Sequence, residues 1–227
     1  VSKAVKPAPP AVRTRRAYFE CPFGQLHVRT AFPTTGGFDE QVTLFCLHSG
    51  DRTSRMFDRF LPRMAEDRSV YAPDLPGQGE SDAPAAPGMA ADAAAVADLA
   101  QGLRLRQIDV LGFQRGSEVA VELALSKPEL VRKLVLIGVA SSQGLGGVTQ
   151  SCLVMHISDS LADATRRAAA QLPQARLLDG SEYAEDLFDV APGILVAQLG
   201  AFLNRGAAAA HRGAPPAATR RVGARRG

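Results

Sequence analysis

Val110-Leu111-Gly112-Phe113-Gln114-Arg115-Gly116-Ser117 joins a short apolar run to an amphipathic one. Ile108–Leu111 is strand-like, and Gly116–Ser126 places its apolar residues at helical spacing. The passage therefore predicts a strand turning sharply into a helix between two glycines. The same alternation extends in both directions. Toward the C-terminus, Lys133–Val139, Cys152–Ile157 and Arg176–Leu178 are short apolar strands, and Leu161–Leu172 and Val190–Asn204 are helical. Toward the N-terminus lie a helix over Met89–Leu103, a Pro/Gly-rich loop over Leu75–Gly88, strands at Ser69–Ala72 and Val42–Leu47, and a helix over Arg55–Glu66. Ala17–Glu20 and Gln25–Thr30 flank Cys21-Pro22-Phe23-Gly24, a hairpin signal. Apolar strands alternating with amphipathic helices predict an α/β fold: a mostly parallel sheet, helices on both faces, and an N-terminal hairpin. In such sheets the reactive loops gather at the carboxyl ends of the strands. That edge receives His48-Ser49-Gly50, the loop from Asp74, Gly112–Gly116, the segment from Ala140, and Ser158-Asp159.

The formal charge of +3 hides an uneven distribution. Residues 1–16 carry five Lys/Arg and no acid, and residues 205–227 carry six Arg and no acid. The remaining 17–204 hold 15 basic against 23 acidic residues, a net charge near −8. This divides the chain into a basic flexible leader (1–16), one domain (17–204) and an Arg/Ala-rich disordered tail (205–227). Neither end interleaves aromatics with its cations or forms an apolar face, so no specific nucleic-acid partner and no membrane partner is expected. No run approaches the ~20 apolar residues of a membrane-spanning helix, and residues 1–16 lack the apolar core of a secretory signal. Cys21, Cys46 and Cys152 show no metal-ligand spacing; Cys46 and Cys152 lie in apolar strands, as small core residues of a reducing, cytoplasmic protein do. No metal and no cofactor is expected.

Three segments in this order resemble the α/β-hydrolase superfamily: Leu47-His48-Ser49-Gly50 after a buried strand, Asp74-Leu75-Pro76-Gly77-Gln78-Gly79-Glu80-Ser81-Asp82, and the strand–turn–helix at Gly112–Ser117 with Pro128-Glu129-Leu130-Val131 and the strand after it. The resemblance covers about residues 17–204. It implies that Gln114 stands at the nucleophile position and Asp159, after the strand Cys152–Ile157, at the acid position. The histidine position falls in the loop Asp179–Asp186, near Tyr183, and that loop contains no histidine. His48, Ser49, Gly50 and Arg115 would surround the oxyanion position.

A carboxamide has no ionisable proton and is a poor attacking group, so Gln114 cannot form the acyl-enzyme that serine would. Ser117 is three residues further along the helix and points elsewhere; Ser49 has no base beside it; Asp74 and Ser81 are expected to shape their glycine turn. Of the four histidines, His27 lies on the hairpin, His156 on a strand and His211 in the tail. His48 either borders the pocket or shapes the oxyanion turn. Only residues 141–151 join two parallel strands, close to the shortest crossover possible, so no cap domain is expected and the edge above Gln114 should be open to water. The sequence thus predicts a non-catalytic or ligand-binding pseudo-hydrolase taking a small-molecule ligand. The alternative is a non-serine enzyme, a hydrolase or lyase on a small ester or carbonyl compound, using Asp159 with Gln114 and Tyr183 or His48.

Overall fold

A computed structural model describes residues 12–34 and 41–205. Eight strands form one sheet in the order β1-β2-β4-β3-β5-β6-β7-β8. They are β1 (Val12–Cys21), β2 (Gly24–Pro33), β3 (Leu44–Leu47), β4 (Val70–Pro73), β5 (Ile108–Phe113), β6 (Val131–Ile137), β7 (Ser151–Ile157) and β8 (Ala175–Gly180). β2 pairs antiparallel with β1 and with β4; every other pairing is parallel. All residues of β3 and β5 are buried, as parallel strands covered on both faces require.

Helices α2 (Met89–Gly102), α3 (Arg115–Ser126) and α4 (Ala162–Gln171) cover one face. The short α1 (Leu61–Met64) and α5 (Leu187–Val190), with α6 (Pro192–Leu203), cover the other. The expected α/β architecture with its N-terminal hairpin is present. Three details differ. Residues 12–16, assigned above to the leader, belong to β1, because Val12 to Cys21 pair continuously with Pro33 to Gly24. Residues 1–11 and 206–227, with the rest of the leader and the tail, lie outside the described residues. The helix expected over Arg55–Glu66 is a 3₁₀ turn at Ser54–Phe57 followed by α1, whose second residue is Pro62. The last helix likewise divides at Ala191-Pro192, where α6 begins on a proline whose fixed φ suits a first turn. The β6–β7 connection contains a single 3₁₀ turn, Leu145–Gly147, packed through buried Leu145 and Val148. It carries no helix and no cap.

The β5–α3 turn rests on two close approaches. A Cβ at Gly112 would lie 2.3 Å from the Gly116 carbonyl oxygen, and one at Gly116 would lie 2.1 Å from the Leu47 carbonyl oxygen. Both neighbours are backbone, so neither can move aside cheaply. Gly116→Ala should lower stability by about 3 kcal/mol or more through overpacking. Gly200→Ala, in α6 where nothing lies within 4 Å of the added methyl, should raise it by about 0.5–1 kcal/mol by removing a helical glycine. Urea unfolding midpoints of the two variants check this; equal midpoints would contradict it.

Candidate active site

Gln114 occupies the tip of the β5–α3 turn with φ 49° and ψ −114°, a conformation that non-glycine residues rarely adopt. Flanking bonds hold it there: its N–H donates to the Ile137 carbonyl (2.7 Å), and its carbonyl accepts from Ser117 N–H (2.8 Å). Ser117 is buried and spent locally, its hydroxyl donating to the Gly112 carbonyl (2.8 Å) and accepting from Ile137 N–H (3.1 Å). The floor is Gly138, where an added Cβ would lie 3.0 Å from Gln114 Cγ and 3.4 Å from Asp159 Oδ2. Any other residue there would fill the space between those two side chains.

From this tip the Gln114 carboxamide Nε2 donates to Glu185 Oε1 (3.1 Å) and reaches Asp159 Oδ2 (3.5 Å). Asp159 is fixed from the far side, its Oδ1 accepting from Leu161 N–H (3.0 Å) at the entrance to α4. Glu185 is in turn paired with Arg52 (Oε2 to Nη2, 3.5 Å). A continuous string Asp159–Gln114–Glu185–Arg52 therefore crosses the carboxyl edge of the sheet. It faces water: the Glu185 side chain is 46% exposed and that of Arg52 35%. What places Glu185 is packing three residues later. Phe188 stacks edge-on against Phe57, Phe60 and Phe113, with centroids 4.8, 5.4 and 5.6 Å away. Phe113 directly precedes Gln114, so the β8–α5 loop is anchored to the base of the same turn.

Tyr183 is not part of the string. It is buried within the aliphatic and aromatic core of that face. Its backbone carbonyl accepts from Ser158 N–H (2.7 Å), and the neighbouring Glu182 carboxylate, with burial, raises the pKa of its phenol above the ordinary value. Glu185, two residues on, is the residue of this loop that meets Gln114. The loop itself was legible; its register depends on Phe188 packing, which no local pattern announces. Arg52 gave no sequence signal.

His48 is committed within the fold at both ring nitrogens. Its Nδ1–H donates to the Ser49 carbonyl (2.6 Å) and its Nε2 accepts from Leu75 N–H (2.9 Å), so both nitrogens are engaged inside the protein. Burial lowers its pKa and keeps the ring neutral. Ser49 donates to Asp51 (2.8 Å), Gly50 lies against the Arg115 side chain, and Arg115 pairs with buried Asp92 (2.5 Å). The residues expected around the oxyanion position are thus gathered, but the His48 ring points away into the Asp74 loop. Asp74 and Ser81 are structural as expected. Asp74 accepts from Ser54 N–H (2.7 Å), Glu80 N–H (3.0 Å) and His27 Nδ1 (2.8 Å), and Ser81 donates to the Asp74 carbonyl (2.7 Å). His156 is buried in β7 beside Arg166 and Asp179. Among the described residues, no group of three His, Cys, Asp or Glu could hold a metal ion.

Comparison with known proteins agrees with the fold. The profile of the family described as alpha/beta hydrolase fold matches residues 42–179, more than half of the chain. This chain belongs to the alpha/beta hydrolase fold family. It is 39% identical over 85 residues to a 2-hydroxymuconate semialdehyde hydrolase of Pseudomonas sp., covering 35% of this chain and 29% of that protein. It is also 39% identical over 98 residues to a pimeloyl-[acyl-carrier protein] methyl ester esterase of Neisseria meningitidis, covering 43% and 37%. The chain thus spans about a third of the length of the curated relatives it matches. Among solved structures, a carboxylesterase from Bacillus subtilis superposes with a TM-score of 0.72 at 18% identity, covering 86% of this chain and 93% of that one. A CIB-like hydrolase of Thermoplasma acidophilum gives 0.75 at 17% identity, covering 85% and 98%.

Two predictions follow from the positions of His48 and Glu185 in this α/β-hydrolase domain. Because the folded-state pKa of His48 is depressed below 6.5, the unfolded chain takes up a proton there first as the pH falls. Its stabilising contribution is complete above the ordinary value and is lost as pH drops through the folded one. Urea midpoints should therefore fall between about pH 7.5 and about pH 5.5, and less steeply in His48→Gln; equal slopes would contradict the assignment. Separately, Gln114→Ser combined with Glu185→His should hydrolyse p-nitrophenyl acetate at least roughly tenfold faster than Gln114→Ser with Tyr183→His, because only position 185 brings a base to the tip. Equal rates would show that position 185 is not the partner of position 114.

Proposed function

We propose that this domain is an α/β-hydrolase relative that forms no acyl-enzyme and uses its turn and oxyanion loop to bind a small molecule. The single observation that carries this reading is the Gln114 carboxamide, held between Asp159 and Glu185 where a nucleophile would have to stand. An amide N–H is far too weak an acid for the two carboxylates beside it to remove, so Gln114 gives no attacking group. Support also comes from the histidines: His27, His48 and His156 are each engaged elsewhere. Exposure of Glu185 and Arg52 argues in the same direction, since electrostatic catalysis draws its strength from water-excluded sites. The ligand class we favour is a small ester or carbonyl compound, the chemistry named in the two hydrolase relatives.

A second reading is favoured by one observation, the arrival of the Glu185 carboxylate at Gln114. Here Asp159 or Glu185 would act as base toward a water oriented by Gln114. For the acid, Tyr183 is bonded to Glu182 and His48 to Ser49 and Leu75, which weighs against either in that part. We place the protein in a reducing, cytoplasmic setting. Cys21, Cys46 and Cys152 are free, and burial raises the pKa of Cys152 to about 12, so that thiol is unreactive. No helix among the described residues is long and apolar enough to cross a membrane.

Thermal shift against a panel of short esters, their acids and aldehydes, with parallel turnover assays, tests the proposal. The expected result is a ligand that raises Tm in the wild type but not in Gln114→Ala, with no turnover above buffer. Turnover abolished by Asp159→Asn or Glu185→Gln would replace the binding reading with the second one.

A further inference from the structure

A concave site lies at the β1–β2 hairpin, lined by none of the residues of the Gln114 turn. It is a cavity of about 430 Å³ lined by Thr14, Arg15, Arg16, Arg29, Thr30, Asp58 and Leu61. Its charge is the feature that requires explanation. In the hairpin register Arg16 stands directly opposite Arg29, and Thr14 opposite Ala31. Directly opposed residues of an antiparallel pair project from the same face, and like charges so placed are destabilising.

One carboxylate compensates part of it. Arg29 Nη1 donates to Asp58 Oδ1 (2.8 Å) and Oδ2 (3.2 Å). The Arg29 side chain is only 12% exposed, and its Nε, buried, has no hydrogen-bond partner among the described residues. Arg16 is exposed and enters no ion pair among the described residues. Glu80, in the loop after β4, is bonded to the Tyr18 hydroxyl (2.6 Å) and shares its field with Arg16 without pairing with it. Arg15 leaves from the opposite face and lies over the Phe32 ring, 5.6 Å from its centroid.

We propose that this cavity binds a phosphate-type dianion, held between the Arg16 and Arg29 guanidinium groups with the Thr14 hydroxyl as a further donor. Planar guanidinium forks match phosphate oxygens in geometry as well as charge. The ligand would neutralise the opposed pair. Asp58 competes with it for Arg29. The phosphate can belong to a soluble metabolite or to a lipid headgroup; the chemistry is shared.

Calorimetric titration of the full chain with inorganic pyrophosphate tests this. The expected result is one bound pyrophosphate per chain, weakened roughly tenfold or more in Arg16→Gln, which removes one charge-assisted contact. Binding should tighten in Asp58→Asn, because the competing carboxylate is gone. The basic C-terminal segment could bind anions by charge alone, so Arg220→Gln/Arg221→Gln is the control and should bind as the wild type does. Undiminished binding by Arg16→Gln, or loss of binding in the tail variant, would overturn the proposal. Co-sedimentation with phosphatidylcholine vesicles containing phosphatidic acid then separates the sources. Arg16-dependent pelleting identifies a headgroup, and retention in the supernatant alongside pyrophosphate binding identifies a soluble phosphate.

Discussion

The structure depends on how closely α3 is allowed to approach the sheet. Gly112 and Gly116 bring the first turn of the helix against the Leu47 carbonyl and the end of β5, at distances that leave no room for a side chain. From this contact follows the strained conformation of Gln114, and from that conformation the projection of its side chain beyond the sheet edge. The strain, of order 1–3 kcal/mol for a residue in this region of φ,ψ space, is held in place by the bonds to Ile137 and Ser117. Such a turn suits a group that must be presented. Here the group presented is an amide.

The neighbouring elements take their places from the same contact. Phe113 carries the end of β5 into the aromatic cluster with Phe57, Phe60 and Phe188, and Phe188 fixes the loop that delivers Glu185. On the other side, the entrance to α4 fixes Asp159. The two carboxylates thus come from different loops anchored by different forces, one by aromatic packing and one by a backbone hydrogen bond. They meet at a single carboxamide. The short β6–β7 connection leaves this meeting point uncovered by any cap.

The central strands were legible because β3, β5, β6 and β7 each carry an unbroken apolar stretch (Leu44–Leu47, Val110–Phe113, Leu134–Ile137, Cys152–Met155), the pattern of strands buried on both faces. β1 was legible only in its second half. Its first five residues, Val12–Arg16, carry three arginines and a threonine with no alternation, and their strand structure comes from pairing with β2 rather than from their own composition. The helix around Arg55–Glu66 was read from correct apolar spacing, but Pro62 confines the α-helical part to a short piece. At the site, Gln114 and Asp159 were placed by motif and order along the chain. The residue that meets Gln114 is Glu185, two residues beyond Tyr183, because a loop has no period from which to read a register. His48 was found in the right loop, with its two ring nitrogens already committed to Ser49 and Leu75.

The proposal stands or falls on whether a turn that presents Gln114 forms an acyl-enzyme. The most direct measurement is intact mass spectrometry after incubation with a fluorophosphonate, which adds covalently to an activated serine and to little else. The account predicts an unmodified mass under conditions that fully label a serine esterase. A single stoichiometric adduct, on any serine of the chain, would contradict it.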